Sequence, residues 1–200
     1  MAVQDWDALR EAAGQGYADG IMCLATIETV ERSNNEELIE RLHDADAARA
    51  ARILIDGALV RLHIFVCRGF SPARHADDLH LRTAIDFLKE PGRLDEEPLL
   101  WRRTDLAEAI RLFELAAADP RLVRLKHMRD KLIAHMARYD ETIIAKPTYN
   151  DLFDFTRLTA QIWERLSYGA GTAMVKLRHQ VKAYSESADA FWSRWEETSE

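Results

Sequence analysis

Along nearly the whole chain, apolar residues return every three or four positions, and nowhere do they alternate singly over the length of a strand. The first spacing stacks side chains on one face of a helix; without the second there is no half-buried sheet. The clearest run is Ala51, Ile55, Ala58, Leu62, Phe65 and Val66, one stripe along a long helix. The fold class is therefore all-α, an up-and-down helical bundle with additional N-terminal and C-terminal helices. With 200 residues, 48% of them hydrophobic, the chain can bury one substantial core, and residues 1–200 read as a single all-helical domain.

Local punctuation divides that domain. A short helix is expected over Asp5 to Ala13, after which Gly14, Gly16 and Gly20 loosen the chain before Ile21 to Glu31. Ser33-Asn34-Asn35 is a turn with N-cap residues that starts a short helix to His43. Asp44 or Asp46 caps the long helix to about Gly69, and Ser71-Pro72 ends it. His75 to Lys89 reads as a helix stopped by Pro91-Gly92, and Arg93 to Arg103 as a surface loop. Thr104 caps a helix through Ala118. Asp119-Pro120 starts a helix to about Arg138, because proline suits the first turn. Asn150 or Asp151 starts another to Tyr168, broken by Gly169-Ala170-Gly171, and Thr172 to Glu197 form the last. Phe191, Trp192 and Trp195 are expected to dock its end on the bundle.

Several classes are excluded. No uncharged apolar run approaches the roughly 18 residues of a membrane span. The opening Met1 to Asp7 is acidic and lacks the apolar segment of a secretory signal. Cys23 and Cys67 both lie in apolar helical patterns, so reduced thiols in a cytoplasmic core are expected, and no zinc-type cysteine spacing occurs. No Gly-rich phosphate loop is present, and no cofactor is expected. His75, Asp77, Asp78 and His80 cluster. On a helix, however, five positions splay the two histidines by about 140°, so no metal site is expected.

The formal charge of -7 argues against a chain that coats nucleic acid over its whole surface. The charge is uneven, however. Between Arg121 and Arg138 stand Arg121, Arg124, Lys126, Arg129, Lys131 and Arg138 against Asp130 as the one acid. Such local concentration suits a focused anion site. Within it, Arg129-Asp130-Lys131-Leu132-Ile133-Ala134-His135 places a permanent cation six positions before an imidazole. A guanidinium holds a phosphate and an imidazole moves a proton near neutral pH, which together suit phosphodiester cleavage without a metal.

On an ideal helix Leu122, Leu125, Leu132, Ile133 and Met136 fall within about 60° of Arg129. Arg129 therefore sits in an apolar stripe and needs an anion, either a carboxylate of another helix or a nucleic-acid phosphate. His135 falls about 120° away, so the two side chains converge only if the helix bends or a two-fold dimer brings facing copies into one groove. The helix C-terminal dipole favours the charged imidazole at His135, and Lys131 and Arg138 oppose it.

These residues resemble the signature of HEPN domains: an arginine, a polar residue, and a histidine after a short gap. The wording Arg129-Asp130-Lys131-x-x-Ala134-His135 is most similar to the AbiU-type branch, associated with abortive phage infection, as is Ile144 to Leu152 after it. The resemblance is specific from about Arg121 to Leu166. It implies a HEPN-like bundle that forms a homodimer and cuts RNA without metal, in phage defence or as the toxin of a toxin–antitoxin system. Arg129 would bind and polarise the scissile phosphate, His135 would transfer the proton, and Asp130 would orient the histidine or the RNA. Arg124, Lys126, Lys131 and Arg138 would hold RNA. An antitoxin or a nucleotidyltransferase is the implied protein partner. Some members carry a tyrosine two residues after the histidine for the latter to modify; here that position is Ala137. The alternative is a HEPN-like module that has kept the bundle without catalysis and binds RNA, nucleotide or protein.

Overall fold

The computed structural model describes residues 3–75, 78–134 and 144–195, with the side chains of Leu132 and Ala134 excepted. Among these residues there are eight α-helices and no strand, so the chain is an all-α bundle. The helices are α1 (Trp6–Arg32), α2 (Glu36–Asp44), α3 (Ala48–Gly69), α4 (Leu81–Leu88), α5 (Leu100–Ala118), α6 (Pro120–Met128), α7 (Tyr149–Ala170) and α8 (Leu177–Ser193). No helix among the described residues is long and apolar enough to cross a membrane.

Helix α7 is the hub. It packs on α1, α5 and α3, while α8 lies along α1. It can be central because it is apolar on more than one face: Leu152, Phe155, Ile162, Trp163 and Leu166 are all buried. Its buried hydroxyls are satisfied locally, Thr156 donating to the Leu152 carbonyl at 2.8 Å and Thr159 to that of Phe155 at 2.7 Å. Ser167 donates across to the Ala13 carbonyl at 2.7 Å and so pins α7 to α1. Thr148 and Asp151 form a capping box at its start, and Gly171, in the left-handed region, ends it.

The expected break in α1 does not occur. Trp6–Arg32 is one helix of 27 residues, because Gly16 and Gly20 are buried points of close approach to α7. A Cβ on Gly16 would stand 2.1 Å from Trp163 Cδ2. Gly169 has the same role on α5: it lies inside α7, and a Cβ there would meet Leu106 Cγ at 2.4 Å.

Helix α2 starts where expected, with the Asn35 side chain accepting from Glu37 and Leu38. Helix α3 has the expected span, but its N-cap is Ala47 without a side-chain bond, and Asp46 adopts a positive φ instead of capping. The expected helix from His75 is shortened to Leu81–Leu88. Asp78 turns back to accept from the backbone of Arg74 at 2.6 Å and His75 at 3.0 Å, holding that stretch as a loop. The expected surface loop from Arg93 contains a short 3-10 turn (Arg93–Glu96) and the start of α5. Thr104 lies inside α5, whose N-cap is Leu99 with no side-chain cap bond; Glu97, just before it, is buried and accepts from the Leu99 backbone at 3.1 Å. At the other end of the chain Trp192 is buried and donates to the Thr29 carbonyl at 2.9 Å, while Phe191 stays outside. Trp192 closes a small second core with Leu38, Leu42 and Ala51.

Both cysteines are free and buried. His63 is also buried, with Nδ1 3.1 Å from the Leu59 carbonyl and Nε2 without a hydrogen-bond partner among the described residues. Burial pushes its imidazole below the ordinary value of 6.5, against the pull of that carbonyl. The folded state therefore holds His63 neutral, while the unfolded chain takes up a proton as pH falls below 6.5. The contribution to stability is complete above that value and shrinks as pH falls through it towards the lower folded value. Urea midpoints at pH 7.5 and pH 5 will show a smaller acid loss in His63→Gln than in the wild type; equal losses would remove His63 as the cause.

Candidate functional site

The basic run begins on a helix whose start is fixed by chemistry. Asp119 caps α6 by accepting from the Arg121 backbone at 2.8 Å, and Pro120 takes the first turn. Asp119 also grips the Arg121 guanidinium at 2.8 Å, which holds its carboxyl below the usual carboxylate range. Arg121 reaches on to Asp154 of α7 at 3.5 Å, and Arg124 reaches Asp151 at 3.3 Å. Burial works to raise the Asp151 carboxyl, but the backbone and hydroxyl of Thr148 together with Arg124 outweigh it and hold it low. Two cations of the run therefore dock α6 onto the start of α7.

After Met128 the geometry changes. Arg129–Ala134 form a π-helical turn, whose wider i→i+5 bonding ends the 100° register assumed for an ideal helix. Arg129 is its first residue. The Arg129 side chain is 25% exposed, its Nε 2.6 Å from Oδ1 of Asp130, which is 50% exposed. The N–H is not aimed at that oxygen, so the contact is ionic proximity and not a directed hydrogen bond. Among the described residues no other carboxylate pairs with Arg129. Of the two anions expected, a carboxylate of another helix or a nucleic-acid phosphate, the described residues supply neither; the carboxylate at Arg129 is that of the adjacent residue in the same turn. Lys131 stands in that turn, partly exposed. His135 and Arg138 lie outside the described residues.

Around this turn the structure gathers a cation that the sequence did not single out. Lys126 Nζ donates to the Phe70 carbonyl at 2.9 Å, and Arg82 Nε of α4 donates to the same oxygen at 3.2 Å. Burial, then repulsion from Arg82 and Arg129, pushes the Lys126 amine below its ordinary value. Cys67 lies close by; burial pushes its thiol up to about 11, with Arg129 and Lys126 pulling the other way. No spacing links Arg82 to the run, because it arrives from a different helix.

Backbone bonds from His75 and Arg74 hold the Asp78 carboxyl low, and His80 Nε2 stands 3.7 Å from it. Asp77 lies outside the described residues. Among those described, no group of three or more histidine, cysteine or acidic side chains is placed to hold a metal ion. A cavity of about 820 Å³ opens between α2, α3 and the start of α7, and another of about 670 Å³ between α7 and α8; among the described side chains, none of the Arg129–Ala134 turn lines either.

The arrangement can hold an anion: Arg82 and Lys126 share the Phe70 carbonyl oxygen, and Arg129, with Asp130 beside it, lies within electrostatic reach of Lys126. A family model described as HEPN_AbiU2: AbiU2 matches residues 4–191. No curated protein and no solved structure matches the chain.

Proposed function

The chain belongs to the AbiU2 family of HEPN domains, and from that premise we propose that it is a metal-independent endoribonuclease acting in phage defence or as a toxin. One contrast on the α6 segment carries the reading. Arg121 and Arg124 are held by carboxylates of α7, as structural arginines are. Arg129 is paired only with its exposed neighbour among the described residues. A phosphate can replace Asp130 at that guanidinium without breaking any contact between helices, and gains a charge-assisted, bidentate partner.

In the proposed reaction Arg129 holds the non-bridging oxygens of the scissile phosphate. The ribose 2'-oxygen attacks phosphorus, its proton leaves, and the bond to the 5'-oxygen breaks as that oxygen gains a proton. His135 serves these transfers, and the products are a 2',3'-cyclic phosphate and a 5'-hydroxyl. Asp130, displaced from Arg129, orients the histidine or the RNA. Lys126, Lys131 and Arg138 hold the strand. Arg124 joins them only by giving up Asp151. The test is cleavage of RNA in excess chelator by the wild type, His135→Ala and Arg129→Ala. The rival reading is a non-catalytic HEPN module binding RNA, nucleotide or protein. The Arg129–Asp130 contact favours it, since the guanidinium already has an anion.

The active form is proposed as a homodimer, with an antitoxin as the further partner in a toxin setting. The outward face of α3 supports self-association: Ile53 is 71% and Leu54 68% exposed, with Val60 and Ile64 also exposed and Gly57 open to close approach. The pattern is self-complementary. With two copies antiparallel about an axis between Ala58 and Leu59, Ile53 meets Ile64 of the partner subunit. Gly57 then meets Val60 of the partner subunit. Sedimentation of the wild type at twice the chain mass, and of Ile53→Glu at the single mass, is the expected result. A wild-type monomer at tens of micromolar would end the dimer proposal and leave cleavage to its own test.

A further inference from the structure

Two full positive charges share one backbone oxygen at the end of α3. Phe70 is the C-cap of that helix, and its carbonyl accepts both Lys126 Nζ at 2.9 Å and Arg82 Nε at 3.2 Å. The two nitrogens are therefore within about 6 Å of one another, close enough to repel. A helix C-terminus supplies roughly half a negative charge. It cannot neutralise both cations, and among the described residues neither has a carboxylate at ion-pair distance. Burial makes the imbalance more costly. Both side chains are only partly exposed; Arg129 lies near enough to repel Lys126 as well, and the Asp130 carboxylate beside it offsets part of that repulsion.

The structure holds this pair in place. Phe70 and Phe113 stack with ring centroids 4.9 Å apart, and the Arg82 guanidinium carbon lies 5.4 Å from the Phe113 centroid. A guanidinium laid on an aromatic floor loses little further freedom when it binds. Nε is committed to the Phe70 carbonyl, while the two terminal nitrogens have no hydrogen-bond partner among the described residues. Among the described residues Lys126 uses one of its three donors. A preorganised, under-neutralised and reachable pair of cations is the chemistry of an anion site.

We propose that Arg82 and Lys126 form a phosphate subsite beside Arg129, taking a backbone phosphate of the RNA strand next to the one that is cut. The proposal rests on the ribonuclease reading for its ligand, and on the Phe70 carbonyl geometry for its place. Arg82 is a positioning residue here, since it holds the strand and does not touch the reacting atoms.

Binding tests it without cleavage. A short 2'-O-methyl oligonucleotide, which cannot be cut, is titrated by fluorescence anisotropy over a salt series. Arg82→Gln keeps a donor for the Phe70 carbonyl and removes the charge. It is expected to bind about tenfold more weakly than the wild type, with the salt slope reduced by about 0.7, one single-strand phosphate contact. Lys126→Gln should do the same, and serves as the readout if Arg82→Gln does not fold. Wild-type affinity and slope in the folded variant would overturn the subsite and leave the ribonuclease reading standing. A second arm uses inorganic pyrophosphate and thermal melting. If the wild type binds no oligonucleotide, yet pyrophosphate stabilises it and not Arg82→Gln, the subsite stands and the RNA reading falls. If neither probe binds, both fall.

Discussion

RNA incubated with the wild-type protein in excess chelator is expected to yield 2',3'-cyclic phosphate ends, and His135→Ala to yield essentially none. A positioned general acid–base group is worth about 10²- to 10⁴-fold, and the imidazole is asked to move protons in both halves of the reaction. Arg129→Ala removes charge stabilisation from the phosphate. Loss of one such donor costs about 10²- to 10³-fold, and a guanidinium supplies two. Arg129→Lys keeps the charge and loses the fork, so it should fall between the wild type and the alanine variant. Arg129 makes no ion pair with another helix among the described residues, so its replacement should leave thermal melting near that of the wild type. That separates it from Arg121 and Arg124, whose removal would strand Asp119, Asp154 or Asp151 and cost stability. Equal cleavage by all four proteins would point to a contaminant. No cleavage by any, across several RNAs, would leave the binding-module reading.

Much of the helical plan could be read from local chemistry, and the departures share a cause. Asn35 and the Asp119-Pro120 pair act on atoms within three residues of themselves, so their effect is visible in the chain order. The glycines of α1 are different. Gly16 looks like a helix breaker until Trp163, far along the chain, is placed against it. His75 to Lys89 has the composition of a helix, but Asp78 offers the backbone a competing bond and wins the first turns. The site divides in the same way. The motif run itself is contiguous and was legible. That Arg124 is spent on Asp151 and that Arg82 joins from α4 are facts of packing, with no trace in the spacing. The helical wheel puts Arg129 in an apolar stripe needing an anion, a carboxylate of another helix or a nucleic-acid phosphate; the π-helical turn replaces that register and leaves it half-buried beside Asp130.

Gly16→Ala is expected to be among the most damaging single-methyl changes in the molecule, although alanine is the better helix former. In an exposed helix interior the exchange would stabilise by about 0.8–1 kcal/mol. At Gly14, on the same helix with nothing within 4 Å of an added Cβ, that gain should appear. At Gly16 the new carbon would stand 2.1 Å from Trp163 Cδ2, 2.3 Å from Cε3 and 2.4 Å from Cε2. The obstacle is a buried, rigid indole, not the end of a flexible chain. Relief requires α1 and α7 to part, and their contact also carries the Ser167 bond to the Ala13 carbonyl. Overpacking of this kind costs about 1–3 kcal/mol and more where the backbone must move, enough to outweigh the helix-propensity gain. Urea midpoints should therefore move in opposite directions for Gly14→Ala and Gly16→Ala. Trp163→Phe should be destabilising alone and yet reduce the cost of Gly16→Ala, because the smaller ring vacates the space the methyl needs. A double-mutant cycle would read that coupling as a departure from additivity. Strict additivity, or a Gly16→Ala protein as stable as the wild type, would mean that α1 and α7 do not meet as closely as Gly16 and Trp163 require.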